Sequence, residues 1–312
     1  MTSSADITSV RRIIHAEQLF ANDSILNFLR LSIREREIQF EENASQIGPR
    51  FLYIFRSLAV DESRVRVLIQ DGEGYLSTSA GFNDPFDSRF QMRSLDNLTE
   101  SQVAMKALYK RNRSSFSTNK RATFLASAHS NFKANKANMF RDLQAMVGNI
   151  GVRCFCDAAY GIPMWSHYAD QHRGICIEFD RARDNTGLTL MALPVTYSDQ
   201  FPIVEYFSNA KSKLRADDMM RALTQKAKCW EYEREHRILV PEGAHWTLAV
   251  SHNAITSVFL GACASAKTEE FVESVNAERA KRNVDRFEIK KMQMAVDGYK
   301  LGAISFRNIT ES

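Results

Sequence analysis

CWEYEREHRILVPEG, residues 229–243, sets a dense run of charges directly before an apolar one. Read as a strand, its period of two puts Glu231, Glu233, Glu235 and Arg237 on one face and Tyr232, Arg234 and His236 on the other. A helix would instead pair Glu231 with Glu235. The exit through Ile238, Leu239 and Val240 into Pro241-Glu242-Gly243 favours the strand. Like charges along one strand face repel unless a cation or a ligand offsets them. The stretch therefore reads as the lining of a cleft at the mouth of the core.

Outward from it, short runs rich in aromatic and β-branched residues suggest further strands. These are FLYIF (51–55), RVRVLIQ (64–70), GVRCFCD (151–157), GICIEFD (174–180), LPVTYSD (193–199), AITSVFLG (254–261), RFEIKKMQM (286–294) and YKLGAISF (299–306). GYLSTSAGFNDPFD (74–87) reads as a strand followed by an Asn83-Asp84-Pro85 turn. Helical texture is expected over 97–148, 208–229 and 267–282. Residues 4–42 read as two amphipathic helices, with Ile7, Val10, Ile13 and Ile14 on the first and Ile25, Phe28, Leu29 and Ile33 on the second. Gly48-Pro49 closes the second helix. No repeat and no regular strand–helix alternation occurs, so an α+β class with a mixed or antiparallel sheet is expected. The expected organisation is an N-terminal helical extension (1–48) and one α+β domain (49–312) carrying a basic helical insertion at about 97–148.

With 44% hydrophobic and 25% charged residues, the 312-residue chain has the composition of a soluble globular protein. No apolar run approaches the ~18 residues of a membrane span, and no short apolar block follows a basic start as in a secretory leader. Five cysteines, an odd number, favour reduced thiols. A cytoplasmic, membrane-free location is expected. The net charge of +4 is concentrated: between Glu100 and Asp142 there is no acidic residue. Lys106, Lys110, Arg111, Arg113, Lys120, Arg121, Lys133, Lys136 and Arg141 fill that interval, interleaved with Tyr109, Phe116, Phe124, Phe132 and Phe140. Such a pattern suits a phosphate backbone with stacking bases. It equally suits a helical region with a solvated basic face.

Four further places carry candidate chemistry. Arg56 ends an apolar strand, where a guanidinium can meet a phosphate or carboxylate bidentately. Ser77-Thr78-Ser79 offers small hydroxyls on a strand, letting a ligand approach closely. His167-Tyr168 suits a pocket wall with Trp165 beneath. Cys154, Cys156, His167 and His172 approach a Cys2His2 pattern, but one residue between the cysteines is too few for zinc. No metal is expected there.

FNDPFD, MWSHYADQHRGICIEFD and KCWEYEREHRIL together resemble a bacterial family known only as a domain of unknown function. The resemblance covers roughly residues 50–306, with Cys156 standing where the family pattern has serine. The order Arg56, Ser77-Thr78-Ser79, Glu233-Arg234-Glu235 also resembles the arginine, Ser-Thr-Ser and Glu-x-Glu signature of ADP-ribosyltransferases. That resemblance implies an NAD-dependent enzyme on the corresponding fold. Arg56 would hold the NAD phosphates or ribose, Ser77 and Ser79 would shape the nicotinamide pocket, and Tyr53, Phe82 and Tyr168 would stack on its rings. Glu235 would be the catalytic carboxylate and Glu233 the acceptor-side one. The resemblance further implies a toxin or phage-defence effector acting on a nucleic acid or protein, with an antitoxin or regulatory partner. Two other classes stand beside it. One is a metal-dependent nuclease using Asp84, Asp87, Glu233 and Glu235. The other is a non-enzymatic sensor in which the acidic strand and Arg237 form a structural ion-pair network.

Overall fold

The computed structural model describes residues 13–14, 23–92, 128–204 and 212–306. The chain divides into two compact units. One is Met1–Ser77 with Gly151–Pro194 and Glu231–Ser312; the other is Thr78–Ile150 with Val195–Trp230.

An eight-stranded sheet organises the first unit. Its strands are β1 (Phe51–Arg56), β2 (Gly151–Cys156), β3 (Ile175–Asp180), β4 (Leu193–Pro194), β5 (Glu235–Val240), β6 (Ile255–Leu260), β7 (Glu288–Met294) and β8 (Leu301–Ser305). They lie in the order β8-β7-β6-β3-β1-β2-β5-β4. All neighbours pair antiparallel except β6 with β7. A parallel pair needs a long crossover, and the helix Ala266–Lys281 supplies it. The architecture is α+β with a mixed, largely antiparallel open sheet, the class expected from the sequence.

Each sheet face has its own cover. On one face Leu52, Ile54, Phe155, Ile177, Phe179, Ile238, Val240, Val258 and Leu260 form a core with residues of two helices. These are Leu58–Asp71, through Val65, Leu68 and Ile69, and Ala266–Lys281, through Phe271, Val272 and Val275. On the other face Phe55, Cys156, Cys176 and Phe259 pack against Met164 and Trp165 of the short helix Ile162–Tyr168. Alternation along β1 explains the division, since Leu52 and Ile54 face one way and Phe55 the other.

Local chemistry sets the boundaries. Ser32 and Glu35 close a reciprocal capping box, with the Glu35 amide donating to Ser32 Oγ at 3.3 Å and the Ser32 amide to Glu35 Oε2 at 2.8 Å. The second N-terminal helix expected from the sequence is thereby split into Asp23–Arg30 and Ile33–Glu42, followed by the single turn Ala44–Ile47. Gly72 ends Leu58–Asp71 at φ 71°, where a Cβ would stand 2.0 Å from the Val250 carbonyl oxygen.

Several expectations are corrected. Ile13–Ile14 is not helical but pairs parallel with Thr247–Leu248, adding a strand to a small sheet completed by Glu73–Tyr75. RVRVLIQ lies inside a helix, because Val65, Leu68 and Ile69 recur at the spacing of one helical face. The 208–229 helix ends at Leu223 and gives way to the strand Gln225–Ala227. Ser79 sits in a 3-10 turn, Ser79–Gly81, rather than on a strand. Residues 93–127, which hold most of the basic stretch Lys106–Arg141, lie outside the described residues, while its end falls in the helix Ala128–Gly148.

In the second unit, Phe90 packs on Phe140 at 5.4 Å and Phe86 stacks on Phe201 at 6.4 Å. Short parallel pairs join Gln91–Met92 to Ile203–Val204 and Thr196–Ser198 to Gln225–Ala227. Among the described residues no helix is long and apolar enough to cross a membrane.

Arg279, fully buried, donates to the carbonyls of Ile69 (2.7 Å), Asp285 (2.9 Å) and His252 (3.0 Å). Arg279→Met keeps the volume but strands these three acceptors. It is expected to lower unfolding free energy by about 3 kcal/mol, read as a lower urea midpoint at unchanged m-value.

Candidate active site

The strand register assembles a polar row across the sheet. Ser257 on β6 stands opposite Glu178 on β3, Glu178 opposite Tyr53 on β1, Tyr53 opposite Cys156 on β2, and Cys156 opposite Glu235 on β5. Partners in register project to the same side, so all five residues share the face covered by Trp165.

At one end, Glu178 is buried and fully engaged. It accepts from Ser257 Oγ and Thr256 Oγ1 at 2.8 Å each and from the Tyr53 hydroxyl at 3.1 Å. Burial first, and then the Glu178 charge, push the Tyr53 hydroxyl well above its usual range, so it stays protonated as a donor. Phe259 packs edge-on to Tyr53, with centroids 6.2 Å apart.

At the other end lie the two carboxylates of the opening stretch. Glu235 is 6% exposed and Arg237 1%. The Arg237 guanidinium grips Glu235 bidentately, Nε to Oε1 at 2.8 Å and Nη2 to Oε2 at 2.9 Å. Two residues apart on one strand, they necessarily share a face. Glu233 is 3% exposed and accepts a 2.6 Å hydrogen bond from the Tyr168 hydroxyl. It is not on the strand: Lys228–Glu233 is a 3-10 turn, and β5 begins only at Glu235. Arg234 makes the change of direction at φ 46° and is held outside by Asp157, with Nε to Oδ1 at 2.6 Å. The single-strand reading that aligned Glu231 and Glu233 with Glu235 is therefore corrected. An αL residue between the two glutamates breaks the period of two.

Tyr168 is placed by its own helix. Trp165 is completely buried, donates from Nε1 to the Ala159 carbonyl at 2.7 Å and packs edge-on to Phe55 at 5.1 Å. Three residues further on, about one turn, Tyr168 faces Glu233. Beyond it Asp170, Gln171 and His172 are all left-handed (φ 48°, 52° and 68°), folding His172 back onto Trp165.

Cys156 lies between Tyr53 and Glu235 in the row, and its thiol donates to the carbonyls of Ala158 at 3.4 Å and Tyr53 at 3.6 Å. Burial pushes it up to about 12, aided by Asp157, Glu233 and Glu235. It is a neutral spacer at neutral pH, not a nucleophile.

Of the residues singled out in the sequence, Tyr53 and Glu235 share the row and Tyr168 joins Glu233. Arg56 lies three residues beyond Tyr53 on β1 and so projects to the opposite face by alternation. It stands opposite Ile175. Ser77 bridges Val152 on β2, four residues or ~13 Å from Cys156 along the strand. Ser79 and Phe82 belong to the second unit. So do Asp84 and Asp87, which have structural partners there. Asp84 accepts from the Phe86 amide at 2.8 Å, and Asp87 meets the buried Lys226 at 3.6 Å. Among the described residues no group of three or more His, Cys, Asp or Glu side chains gathers as a metal site would require.

Glu178 is not among the residues the sequence singles out, whereas Arg237 is expected both on the charged face and in an ion-pair network with the acidic strand, and it does pair with Glu235. The signal for Glu178 was a carboxylate inside the apolar run of GICIEFD, ahead of the Asp180 that ends it. For Arg237 it was an E-x-R spacing on a strand.

Residues 164–238 match the model of a family described as a protein of unknown function (DUF2971). The match begins at Met164, in the helix that places Tyr168, and ends at Ile238, just past Glu233, Glu235 and Arg237. No curated protein and no solved structure matches the chain.

Proposed function

We propose that the chain is an NAD-dependent ADP-ribosyltransferase-like enzyme that modifies a macromolecule, with Glu235 and Glu233 as its working carboxylates. The observation that carries the reading is the pair of buried carboxylates at the entry to β5, one gripped by Arg237 and the other by Tyr168. Cleaving the bond between ribose C1′ and nicotinamide sends the electron pair to the departing ring and leaves cationic character on the sugar. Fixed negative charge in a site poor in water stabilises that cation and needs no reorganisation. Glu235, immobilised at both oxygens, is the electrostatic partner of the sugar. Glu233 accepts the proton from the acceptor as its oxygen or nitrogen bonds to C1′.

Tyr53 and Tyr168 offer ring surfaces near these carboxylates. Arg56 projects to the other face, so the guanidinium working with Glu235 is Arg237. The basic stretch Lys106–Arg141 would recruit an acceptor with a phosphate backbone, as expected of a toxin or phage-defence effector held in check by a partner protein.

Titration calorimetry with NAD, paired with a nicotinamide-release assay, tests the assignment. Wild type should bind NAD and release nicotinamide in the presence of EDTA. Glu235→Gln should bind within a few-fold and lose release by ~10²–10³. Absence of binding at millimolar NAD, or unchanged turnover in Glu235→Gln, would overturn it.

Tyr168→Phe removes only the hydroxyl that fixes Glu233. Transfer to the acceptor is expected to fall roughly tenfold, the scale of one hydrogen bond to a charged group. Nicotinamide release into water should change less, and comparing the two rates in one preparation reads the difference.

A further inference from the structure

The buried arginines of the first unit follow a rule that one of them breaks. Arg181 donates to the carbonyls of Pro49, Ile47, Thr189 and Leu190. Arg279 collects three carbonyls, and Arg36 reaches Leu29, Leu31, Ala182 and the Asn185 side chain. Arg237 has Glu235. Arg153 is 7% exposed, yet it has a single long hydrogen bond, Nη1 to the Tyr75 carbonyl at 3.4 Å, and its buried Nη2 has no partner. Its guanidinium also stands 6.0 Å from the Phe155 ring centroid, but a buried donor without a hydrogen bond still carries a desolvation cost.

Its neighbour raises that cost. The β1–β2 ladder is registered at Tyr53 and Cys156. Three residues further along each antiparallel strand stand Arg56 and Arg153, near enough that the Arg56 charge is felt at Arg153. Arg56 is opposite Ile175, which is opposite Leu260, and Arg153 is opposite Ile238. Two guanidiniums thus occupy the middle of a row whose other members, Leu260, Ile175 and Ile238, are completely buried aliphatics. Among the described residues neither arginine has an ion-pair partner within 4 Å, and Arg56 Nη1 donates to the adjacent Phe55 carbonyl at 2.9 Å. Two like charges brought close in a buried region repel. Burial lowers both guanidiniums from their usual range, Arg153 to about 9 with Arg56 contributing.

The surroundings are shaped for this charge. The ladder between β1 and β2 has one registered pair, and further along β2 it is Ser77 that bridges Val152. The two strands therefore part where Arg56 and Arg153 stand. Gly74 lies against the Arg153 guanidinium, and a Cβ there would come within 2.5 Å of its central carbon.

We propose that Arg56 and Arg153 form a binding site for a phosphoryl group, with the orphaned Nη2 of Arg153 and the fork of Arg56 as its donors. Two guanidiniums match the charge of a phosphate dianion, and their planar forks match its oxygens. The site lies on the sheet face opposite Tyr53 and Glu235. It does not rest on the reading of Glu235 as catalytic.

Thermal unfolding of the full chain in anion-poor buffer, titrated with inorganic phosphate at constant ionic strength, tests the site. Wild-type Tm should rise saturably with phosphate and not with chloride. Arg153→Met should unfold at a higher temperature than wild type without phosphate, because a buried unpaired charge is removed. Its affinity for phosphate should be at least tenfold weaker. Arg56→Gln, at a half-buried position, should weaken phosphate likewise, and Glu235→Gln should leave it unchanged. Repeating the titration with pyrophosphate and glycerol phosphate separates free phosphate from a phosphorylated ligand as the preferred occupant. No saturable response in wild type, or an undiminished one in Arg153→Met and Arg56→Gln, would overturn the proposal.

Discussion

A carboxylate and a guanidinium two residues apart on a strand buried along its whole length constrain the rest of the first unit. Every residue of β5, Glu235–Val240, is buried. An isolated charge at either position would be prohibitive, and removing one partner would strand the other. Placing them at i and i+2 makes pairing automatic, because the pleat sends both side chains to one side. That side must then accommodate polarity, and the sheet supplies it in register as Cys156, Tyr53, Glu178 and Ser257. The opposite side of β5 presents Ile238 and Val240 to the larger core. One pair of charges therefore decides which face is the larger apolar core and which face carries the buried polar row.

Arginines organise the loops around that sheet by a different means. Arg181 ties the Ile47–Pro49 turn to the segment after β3, and Arg279 ties the ends of two helices to the turn before β6. Each uses several donors on backbone carbonyls that would otherwise be buried without partners. Aromatic rings lie against these guanidiniums, Phe40 at 5.2 Å from Arg181 and Phe287 at 5.5 Å from Arg279. The cation stays desolvated but satisfied, which is why such arginines contribute to order more than to net charge.

The strands of the sheet were legible in the sequence where a run was short, β-branched or aromatic, and bounded by turn residues. FLYIF, GICIEFD and AITSVFLG fall within a residue or so of their observed bounds. RVRVLIQ has the same composition but helical spacing, and there the period is the better guide. The short strand Ile13–Ile14 depends on a partner more than two hundred residues away, so no local pattern could announce it. The candidate site was legible in part for the same reason. Glu235 and Arg237 obey a local periodicity, whereas Glu233 is turned out of the strand by the left-handed Arg234, a residue with no glycine-like tendency to mark the turn. Glu178 and Arg153 were each visible as a charge inside an apolar strand, but their roles are written in register between strands, which sequence order does not contain.

The odd spacing between the polar row and the arginine pair has an electrostatic consequence. Tyr53 and Arg56 are three apart on β1, as are Cys156 and Arg153 on β2, so the two sets emerge on opposite faces. Were the spacing even, the arginines would share a face with Glu178 and Glu235, and at the short distances of a buried site they would collapse into ion pairs with them. Three residues of strand span only ~10 Å, yet the sheet between them keeps carboxylates and guanidiniums from neutralising one another. The polar face keeps its carboxylates tied to Tyr53, Tyr168 and Arg237 rather than to Arg56 or Arg153. The apolar face keeps two guanidiniums that form no ion pair within 4 Å among the described residues. A fold that only sought stability would have merged the two, and the pleat is what prevents it.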